Sequence, residues 1–176
     1  MTQLELQQRG LLDLVKCRGT PPDDPYLQHV AASRELAMVR EIALWWRTFQ
    51  IEAQCRFTAK LLKRMRRFDA VVAKYFNSNE TSPFVEELSA DFLGWLRYDK
   101  DALLQAVSQF EFALLQVRAG SARAFEISWD RHPDLVFLAL ENTTDLPRRE
   151  LGIRYHLRLD RDLKGMMDCT REIVSP

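Results

Sequence analysis

The feature that most constrains the fold of this chain is a change in the periodicity of its apolar residues near Gly120. Before Gly120, apolar side chains recur at helical spacing for about a hundred residues. After it, residues 153–160 alternate strictly between apolar and polar side chains, which is the period of a half-buried strand. The sequence therefore predicts an α+β fold, with an N-terminal bundle of about five helices followed by an antiparallel sheet of roughly three to four strands. The corresponding domains are a helical domain at residues 1–120 and a small β-sheet region at residues 121–176.

Several residues in the helical domain have the properties of helix ends. Ser33 is a predicted N-cap, and Ser82-Pro83 is predicted to be an N-cap followed by a first-turn proline. Asp99 is the predicted N-cap of the next helix, which we expect to end at Gly120. Residues 19–25 contain three prolines and are predicted to form a loop.

Beyond Gly120, three further segments have strand character. Residues 125–130 alternate between apolar and polar side chains. Residues 135–140 are continuously apolar, which predicts a central strand covered on both faces. Residues 166–174 are compatible with a final strand or a short helix. Because Pro133 cannot donate a ladder hydrogen bond, residues 129–134 are predicted to be a turn between two strands.

The composition limits the class of protein. Basic and acidic residues balance at 25 each, whereas nucleic-acid-binding proteins usually have an excess of basic residues. No apolar run approaches the roughly 20 residues of a membrane-spanning helix, and the first residues lack the features of a signal peptide. The three cysteines are an odd number and lie far apart, which favours reduced thiols. We therefore expect a cytoplasmic protein that binds neither nucleic acid nor membranes.

No motif for a catalytic or cofactor site was found. The three histidines share no metal-ligand spacing with one another or with the cysteines. There is no His-Glu-x-x-His, no Cys-x-x-Cys and no glycine-rich phosphate loop. We therefore expect a binding protein with no metal or cofactor of its own, although a stand-alone enzyme would also be compatible with a site built from dispersed residues.

The alternating segment is the strongest candidate for a binding site. If it formed the edge of the sheet, its free backbone groups would accept an extended peptide as an added strand, and its Arg and His side chains would favour an acidic peptide. The alternative is a protected edge, where charges prevent sheets from associating. The predicted peptide-binding residues are Ile153, Arg154, Tyr155, His156, Leu157, Arg158 and Leu159.

Two places are candidates for a surface that contacts a partner protein. Trp45 and Trp46 point about 100° apart on a helix, so one is expected in the core and the other, taken here as Trp46, at an interface. The turn after residue 128 is rich in side chains that make contacts, although it could equally be a solvated loop. Its predicted interface residues are Trp129, Asp130, Arg131, His132 and Asp134.

A basic run suggests an alternative function. Residues 60–67 contain five basic side chains, which a helical DNA-binding regulator could use to contact phosphates. The other interpretation is the solvent-exposed face of an amphipathic helix, whose buried side includes Leu61 and Leu62. We favour this second interpretation.

Residues 82–96 (SPFVEELSADFLGWL), followed by residues 110–115 (FEFALL), resemble the helical domain of a family of peptide-modification proteins. Within that family, the strands after residue 120 fit the partner proteins of TIM-barrel multinuclear iron oxygenases. They are most similar to the accessory, MbnC-type subunits of the methanobactin oxazolone/thioamide synthase. The resemblance covers about residues 60–176 and does not extend to the first third of the chain.

The resemblance implies a non-catalytic subunit of a heterodimer. In such a complex the barrel partner holds the iron and oxidises a cysteine of a ribosomally made precursor peptide with dioxygen. The accessory chain binds the leader of that precursor as an added strand and presents the cysteine for conversion to an oxazolone/thioamide. By this analogy, residues 153–159 are where we expect the leader to dock.

Overall fold

The computed structural model describes residues 2–16, 23–79, 84–120, 124–163 and 165–174, except for the side chain of Glu86. Its α+β class is as predicted: within these ranges seven helices precede the first strand, and three strands form one antiparallel sheet. In chain order the elements are α1 (Gln3–Val15), α2 (Pro25–Ala31), α3 (Arg34–Gln54), α4 (Arg56–Arg64), α5 (Phe68–Ser78), α6 (Val85–Leu96), α7 (Ala102–Arg118), β1 (Phe125–Trp129), α8 (Pro133–Asn142), β2 (Ile153–Leu159) and β3 (Met167–Ile173).

The chain divides into two compact units, Met1–Gln50 and Ile51–Pro176. The first has a small core made by Leu14, Leu27 and Leu36. The second has a much larger core, to which α4–α7, α8 and the first two strands all contribute. Residue 120, the predicted domain boundary, therefore lies inside the second unit, because the helices before it and the strands after it share one apolar core.

The helix ends follow their local capping chemistry. Ser33 is the expected cap of α3, since its hydroxyl accepts a hydrogen bond from the N–H of Leu36 at 3.1 Å. Pro25, predicted to lie in a loop, instead begins α2, because the Asp24 carboxylate accepts the N–H of Tyr26 at 2.8 Å. Residues 19–22 of that predicted loop lie outside the described residues.

The N-cap of α7 lies two residues after the predicted position. Asp101, not Asp99, is the N-cap, and its carboxylate accepts the N–H of Leu104 at 2.9 Å. Asp99 instead accepts the N–H of Asp101 and pairs with Arg67 at 2.7 Å. The predicted cap and proline at residues 82 and 83 lie outside the described residues, and α6 begins at Val85.

Gly120 follows the end of α7 with a φ of +90°, a left-handed conformation in which glycine has no Cβ penalty. This is the glycine helix end that the sequence predicted. The N–H of Gly120 donates to the carbonyl of Val117 at 3.1 Å, which satisfies one of the last free carbonyls of the helix.

The apolar segment 135–140, predicted to be a central strand, is helical and belongs to α8. Pro133 occupies the first turn and Asp134 lies beside the positive end of the helix, where both residues are favourable. The segment buries one side only, which is the pattern of an amphipathic helix rather than a strand covered on both faces. Its buried residues are Val136, Ala139 and Leu140, and its exposed residues are Leu135 and Leu138.

The sheet has the order β1-β2-β3, with both pairs antiparallel. Leu157 of β2 lies between Ile127 of β1 and Cys169 of β3. The strand predictions at residues 125–129 and 153–159 are confirmed, and residues 167–173 form the final strand rather than a helix. Alternate residues of β2 are buried, so one face of the sheet packs on the helices and the other carries polar side chains.

Candidate functional site

The sheet order changes where a peptide could bind. β2 is the central strand and pairs with β1 on one side and with β3 on the other. Residues 155–159 are therefore paired on both sides and residues 153–154 are paired with β3, so an incoming strand cannot add along β2. The prediction that β2 is the docking strand was wrong, although the predicted alternation of its side chains was right. Alternation reports which face is buried and carries no information about neighbouring strands.

The free edge lies on β3, and two hydrogen bonds show which of its groups face outwards. The N–H of Val174 donates to the carbonyl of Gly152 at 2.9 Å, and the N–H of Asp160 donates to the carbonyl of Met166 at 3.1 Å. Both pairs belong to the same register as the β2–β3 ladder. Because hydrogen-bonded and non-bonded pairs alternate in an antiparallel ladder, these two bonds fix the phase of the whole strand.

It follows that every second residue of β3 directs its N–H and C=O groups towards β2, and that the residues between them direct theirs away. In the described part of the chain no other strand pairs with that outer side. The residues that bond to β2 are Asp168, Thr170 and Glu172, and the residues that face outwards are Met167, Cys169, Arg171 and Ile173. We call these four residues the free edge of β3.

The free edge is not covered by helices. Leu159 of β2 is 1% exposed, whereas Met167, directly opposite it on β3, is 45% exposed. Ile173 is 78% exposed, although its partner on β2 faces the core. The helical layer therefore ends beneath β2, and β3 extends beyond it with apolar side chains in solvent.

The outer face of the sheet has mixed charge. His156 of β2 lies between two acidic side chains: its Nε2 is 2.9 Å from Glu172 Oε2, and its Nδ1 is 3.4 Å from Glu126 Oε1. Arg158 pairs with Asp160 at 2.8 Å. The basic groups of β2 are thus largely compensated by neighbouring acids, and the predicted preference for an acidic peptide loses its basis.

The other outer strand, β1, is a poorer candidate. It has five residues against seven in β3, and Ile127 and Trp129 are buried. None of the seven residues of β3, by contrast, is fully buried, and Cys169 is the least exposed of them. Because β1 is shorter and its inner face is more deeply buried, β3 is the better edge.

The turn predicted to contact a partner protein is mostly internal. Trp129 is 2% exposed and packs edge-on against Phe137, with 5.4 Å between the ring centres. A residue buried in this way cannot anchor an interface, so its assignment there was wrong. The turn also joins β1 to a helix instead of to another strand.

Asp130 and Arg131 hold this turn in place. Their side chains pair at 2.8 Å, and the Arg131 guanidinium also donates to the carbonyl of Pro147 at 3.1 Å. The hydrogen bond from Arg131 lowers the pKa of the Asp130 carboxyl below its usual value near 3.8. His132 packs against the ring of Tyr155, with 5.0 Å between ring centres. Asp134 has the most exposed side chain of the predicted interface residues in the turn, at 71%. The turn is thus mainly a structural tie to the loop before β2.

Neither tryptophan of the predicted pair lies in a core. Trp45 is 63% exposed and Trp46 is 52% exposed, so the expectation that one of them is buried was wrong. Both rings stack on Phe49, at 5.9 Å and 5.7 Å between ring centres. Trp46 is therefore accessible, as its proposed role in an interface requires.

The basic run is largely neutralised by acidic partners. Lys63 pairs with Glu52, Arg64 pairs with Asp145, and Arg67 pairs with Asp99. On the opposite side of α4, Leu61 and Leu62 are fully buried. This is the arrangement expected for the solvent-exposed face of an amphipathic helix, and it does not favour a phosphate-binding patch.

One buried carboxylate was not identified from the sequence as an important residue. Glu111 of α7 is 5% exposed, and its two oxygens accept the N–H groups of Phe57 and Thr58 at 2.7 and 2.8 Å. These donors lie in the first turn of α4, so Glu111 caps that helix from a distant part of the chain. Burial raises the pKa of the Glu111 carboxyl, and the hydrogen bonds it accepts act in the opposite direction. The signal available in the sequence was a lone glutamate between apolar residues of a core helix.

The two described cysteines are free thiols that are at least partly buried. Cys55 and Cys169 form no disulfide. Cys55 is fully buried, and burial raises the pKa of its thiol far above the usual value. Cys169 is half-buried on β3, and partial burial raises the pKa of its thiol as well. Burial therefore favours the protonated thiol at both positions.

Within the described ranges, no group of three or more His, Cys, Asp or Glu side chains is placed to hold a metal ion. No helix in those ranges is both long enough and apolar enough to cross a membrane. Comparisons of the chain with protein-family models, with curated proteins and with solved structures found no match.

Proposed function

We propose that this chain is a non-catalytic subunit of an iron-dependent peptide-modifying complex. In this proposal it binds the leader of a ribosomally made precursor peptide along the free edge of β3. It thereby presents a cysteine of the precursor for conversion to an oxazolone/thioamide by a TIM-barrel iron oxygenase. The observation that carries the proposal is the open edge of β3, whose outward N–H and C=O groups match those of an extended peptide.

The length and exposure of the edge support strand addition. Four residues of β3 direct main-chain groups outwards, which gives a peptide of similar length a full ladder of hydrogen bonds. Main-chain bonds of this kind supply affinity without depending on sequence. The exposed apolar side chains of Met167 and Ile173 add area that a bound peptide would cover.

Specificity would come from side chains on the two faces of the added strand. On the inner face, apolar residues of the peptide would pack beside Met167 and Ile173. On the outer face, Asp168 would favour a basic residue opposite it, and Glu172, which also pairs with His156, would do so more weakly. The edge therefore fits a peptide in which apolar and basic residues alternate.

The remaining parts of the proposal rest on the resemblance of residues 82–96 and 110–115 to accessory subunits of methanobactin biosynthesis. The iron and the oxidation of the cysteine belong to the barrel subunit, which requires no cofactor from this chain. The complex is proposed to assemble in the cytoplasm and to involve neither nucleic acid nor a membrane.

The experiment that tests peptide docking replaces Arg171 by proline. The N–H of Arg171 faces outwards, so Arg171→Pro removes a donor of the free edge and leaves the β2–β3 ladder intact. The matched control, Arg171→Ala, removes the side chain but keeps the donor. Peptides selected on the purified chain from a displayed library of random sequences serve as the probe.

Selected peptides are expected to show alternation and to bind the Arg171→Ala variant but not the Arg171→Pro variant. On binding, the amides of Met167, Cys169, Arg171 and Ile173 should become protected from hydrogen exchange. Equal binding by the two variants, with no new protection on β3, would refute docking at this edge. Separately, co-expression with a barrel-type iron oxygenase encoded beside this chain should yield a stoichiometric, iron-containing pair, and separate elution of the two proteins would refute the assignment as a subunit.

A further inference from the structure

Residues 38–49 of α3 carry a broad apolar face that takes no part in the small core of the first unit. Its side chains are between 46% and 63% exposed. We call this surface the apolar face of α3, and it consists of Met38, Val39, Ile42, Trp45, Trp46 and Phe49.

The opposite side of α3 is already occupied within the same unit. Leu36 is 5% exposed and packs in the small core with Leu14 and Leu27. Arg40 donates from Nε to the carbonyl of Leu14, at the end of α1, at 2.8 Å. Because residues 36 and 40 lie on one side of the helix, α1 fixes that side and leaves the apolar face pointing away from this core.

The size of the apolar face requires an explanation. With about 200 Å² for each fully exposed large side chain, its six members expose roughly 600 Å². This value is at the upper limit for the largest apolar patch on a monomeric protein, which is about 300–600 Å². One side of a standard protein interface buries about 800 Å², so the face alone would supply most of one side.

The spacing of the face fits a helical partner. Met38, Ile42, Trp45 and Phe49 follow one another at intervals of four, three and four residues, which is the seam of a two-helix contact. The seam is also asymmetric, since its first two residues are aliphatic and its last two are aromatic. A second copy running antiparallel would place Met38 opposite Phe49 and Ile42 opposite Trp45, and each layer would then combine a large ring with a smaller side chain.

We propose that this chain forms a two-fold symmetric dimer through the apolar face of α3, with the two helices antiparallel. The inference does not depend on the proposed function. Trp45 and Trp46 already stack on Phe49 in the single chain, so little side-chain freedom is lost when the second copy binds.

The residues beside the seam agree with this arrangement. On one side, Val39 of one copy lies near Trp46 of the other, which widens the apolar contact. On the other side, Glu41 of one copy lies near Thr48 of the other, so no like charges meet next to the seam. A two-fold axis repeats both contacts, which makes the surface complementary to itself.

The oligomeric state of the purified chain tests the proposal. Light scattering after size exclusion should give a dimer above about 10 µM, since interfaces of this size bind with micromolar or tighter constants. Ile42→Glu should raise the dissociation constant about 30-fold or more, because it puts a charge at the centre of the contact. Leu151→Glu is the matched control: Leu151 is 88% exposed but lies far along the chain from α3, so its replacement should leave the dimer unchanged.

Cross-linking tests the antiparallel arrangement. In a background with Cys17→Ser and Cys169→Ser, chains with Ile42→Cys are mixed with chains with Trp45→Cys under mild oxidation. The mixed disulfide should form faster than either disulfide between identical chains, because these two positions lie opposite each other.

Three outcomes would overturn the proposal: a monomer at all these concentrations, a dimer unaffected by Ile42→Glu, or faster cross-linking between identical chains. If the chain is a monomer and uses this face only to bind a different protein, the first outcome would be observed and the proposal would be overturned. Circular dichroism of each variant confirms that its helices are retained.

Discussion

Replacing Glu111 by alanine would remove the acceptor of two main-chain N–H groups, those of Phe57 and Thr58. Both groups lie in the first turn of α4, where no helical carbonyl is available to them. A buried donor left without a partner costs about 1–3 kcal/mol, and the lost side chain also leaves a cavity. Relief from burying a carboxylate offsets part of this cost. We therefore expect Glu111→Ala to lower the free energy of unfolding by about 3 kcal/mol.

Urea denaturation followed by circular dichroism measures this change, with the slope of the transition expected to stay constant. The corresponding decrease in Tm is about 6–12 °C for a chain of this length. The control is Glu141→Ala, which removes an exposed carboxylate that pairs with Arg56 in the same turn of α4, at 3.2 Å. An exposed ion pair contributes at most about 1 kcal/mol, so this variant should remain close to the parent protein.

Two further variants separate capping from packing. Glu111→Leu fills the space but accepts no hydrogen bond, and Glu111→Gln keeps a single acceptor oxygen. If capping dominates, stability decreases from the parent through glutamine to leucine and alanine. A leucine variant as stable as the parent would refute this reasoning, because it would mean that burying the carboxylate costs as much as its hydrogen bonds contribute.

Two other predictions concern stability. Asp130→Asn should lower the free energy of unfolding by about 1–2 kcal/mol at neutral pH. Because Arg131 lowers the pKa of the Asp130 carboxyl in the folded protein, this difference should be complete above the unfolded-state pKa near 3.8 and should disappear as the pH falls through the lower folded-state pKa. A difference in stability that does not depend on pH would contradict this. Gly94→Ala should raise the free energy of unfolding by about 0.5–1 kcal/mol, since a Cβ at this position of α6 meets no atom within 4 Å. Gly10→Ala should destabilise the first unit, because its Cβ would overlap the buried side chain of Leu27. In thermal unfolding, the Tm of the two variants is therefore expected to shift in opposite directions.

Local signals in the sequence predicted the features that depend on local chemistry. The alternation in β2, the serine cap of α3 and the glycine after α7 are each set by a few neighbouring residues, and all three were predicted correctly. The apolar segment of α8 was misassigned because a continuous apolar run fits both a covered strand and a helix. The proline at its start and the acidic residue after it were the signals that favoured the helix.

The features that depend on distant residues could not be predicted in the same way. The central position of β2 is decided by β1 and β3 together, and no property of residues 153–159 reports it. The exposure of Trp45 likewise depends on which side of α3 packs on α1. The capping of α4 by Glu111 joins residues more than fifty positions apart, so neither segment alone reveals it.

A free strand edge can also pair with the same edge of another molecule, and the charges on β3 oppose this. The most complete pairing of two such edges has its two-fold axis at Thr170, so that Met167 of one molecule bonds Ile173 of the other. The same axis sets Asp168 directly opposite Glu172 of the other molecule, and it does so twice. Like charges in opposite positions destabilise a sheet, so β3 discriminates against its own copy while accepting a strand of different sequence. An edge of this kind can remain open in concentrated solution without growing into larger sheets.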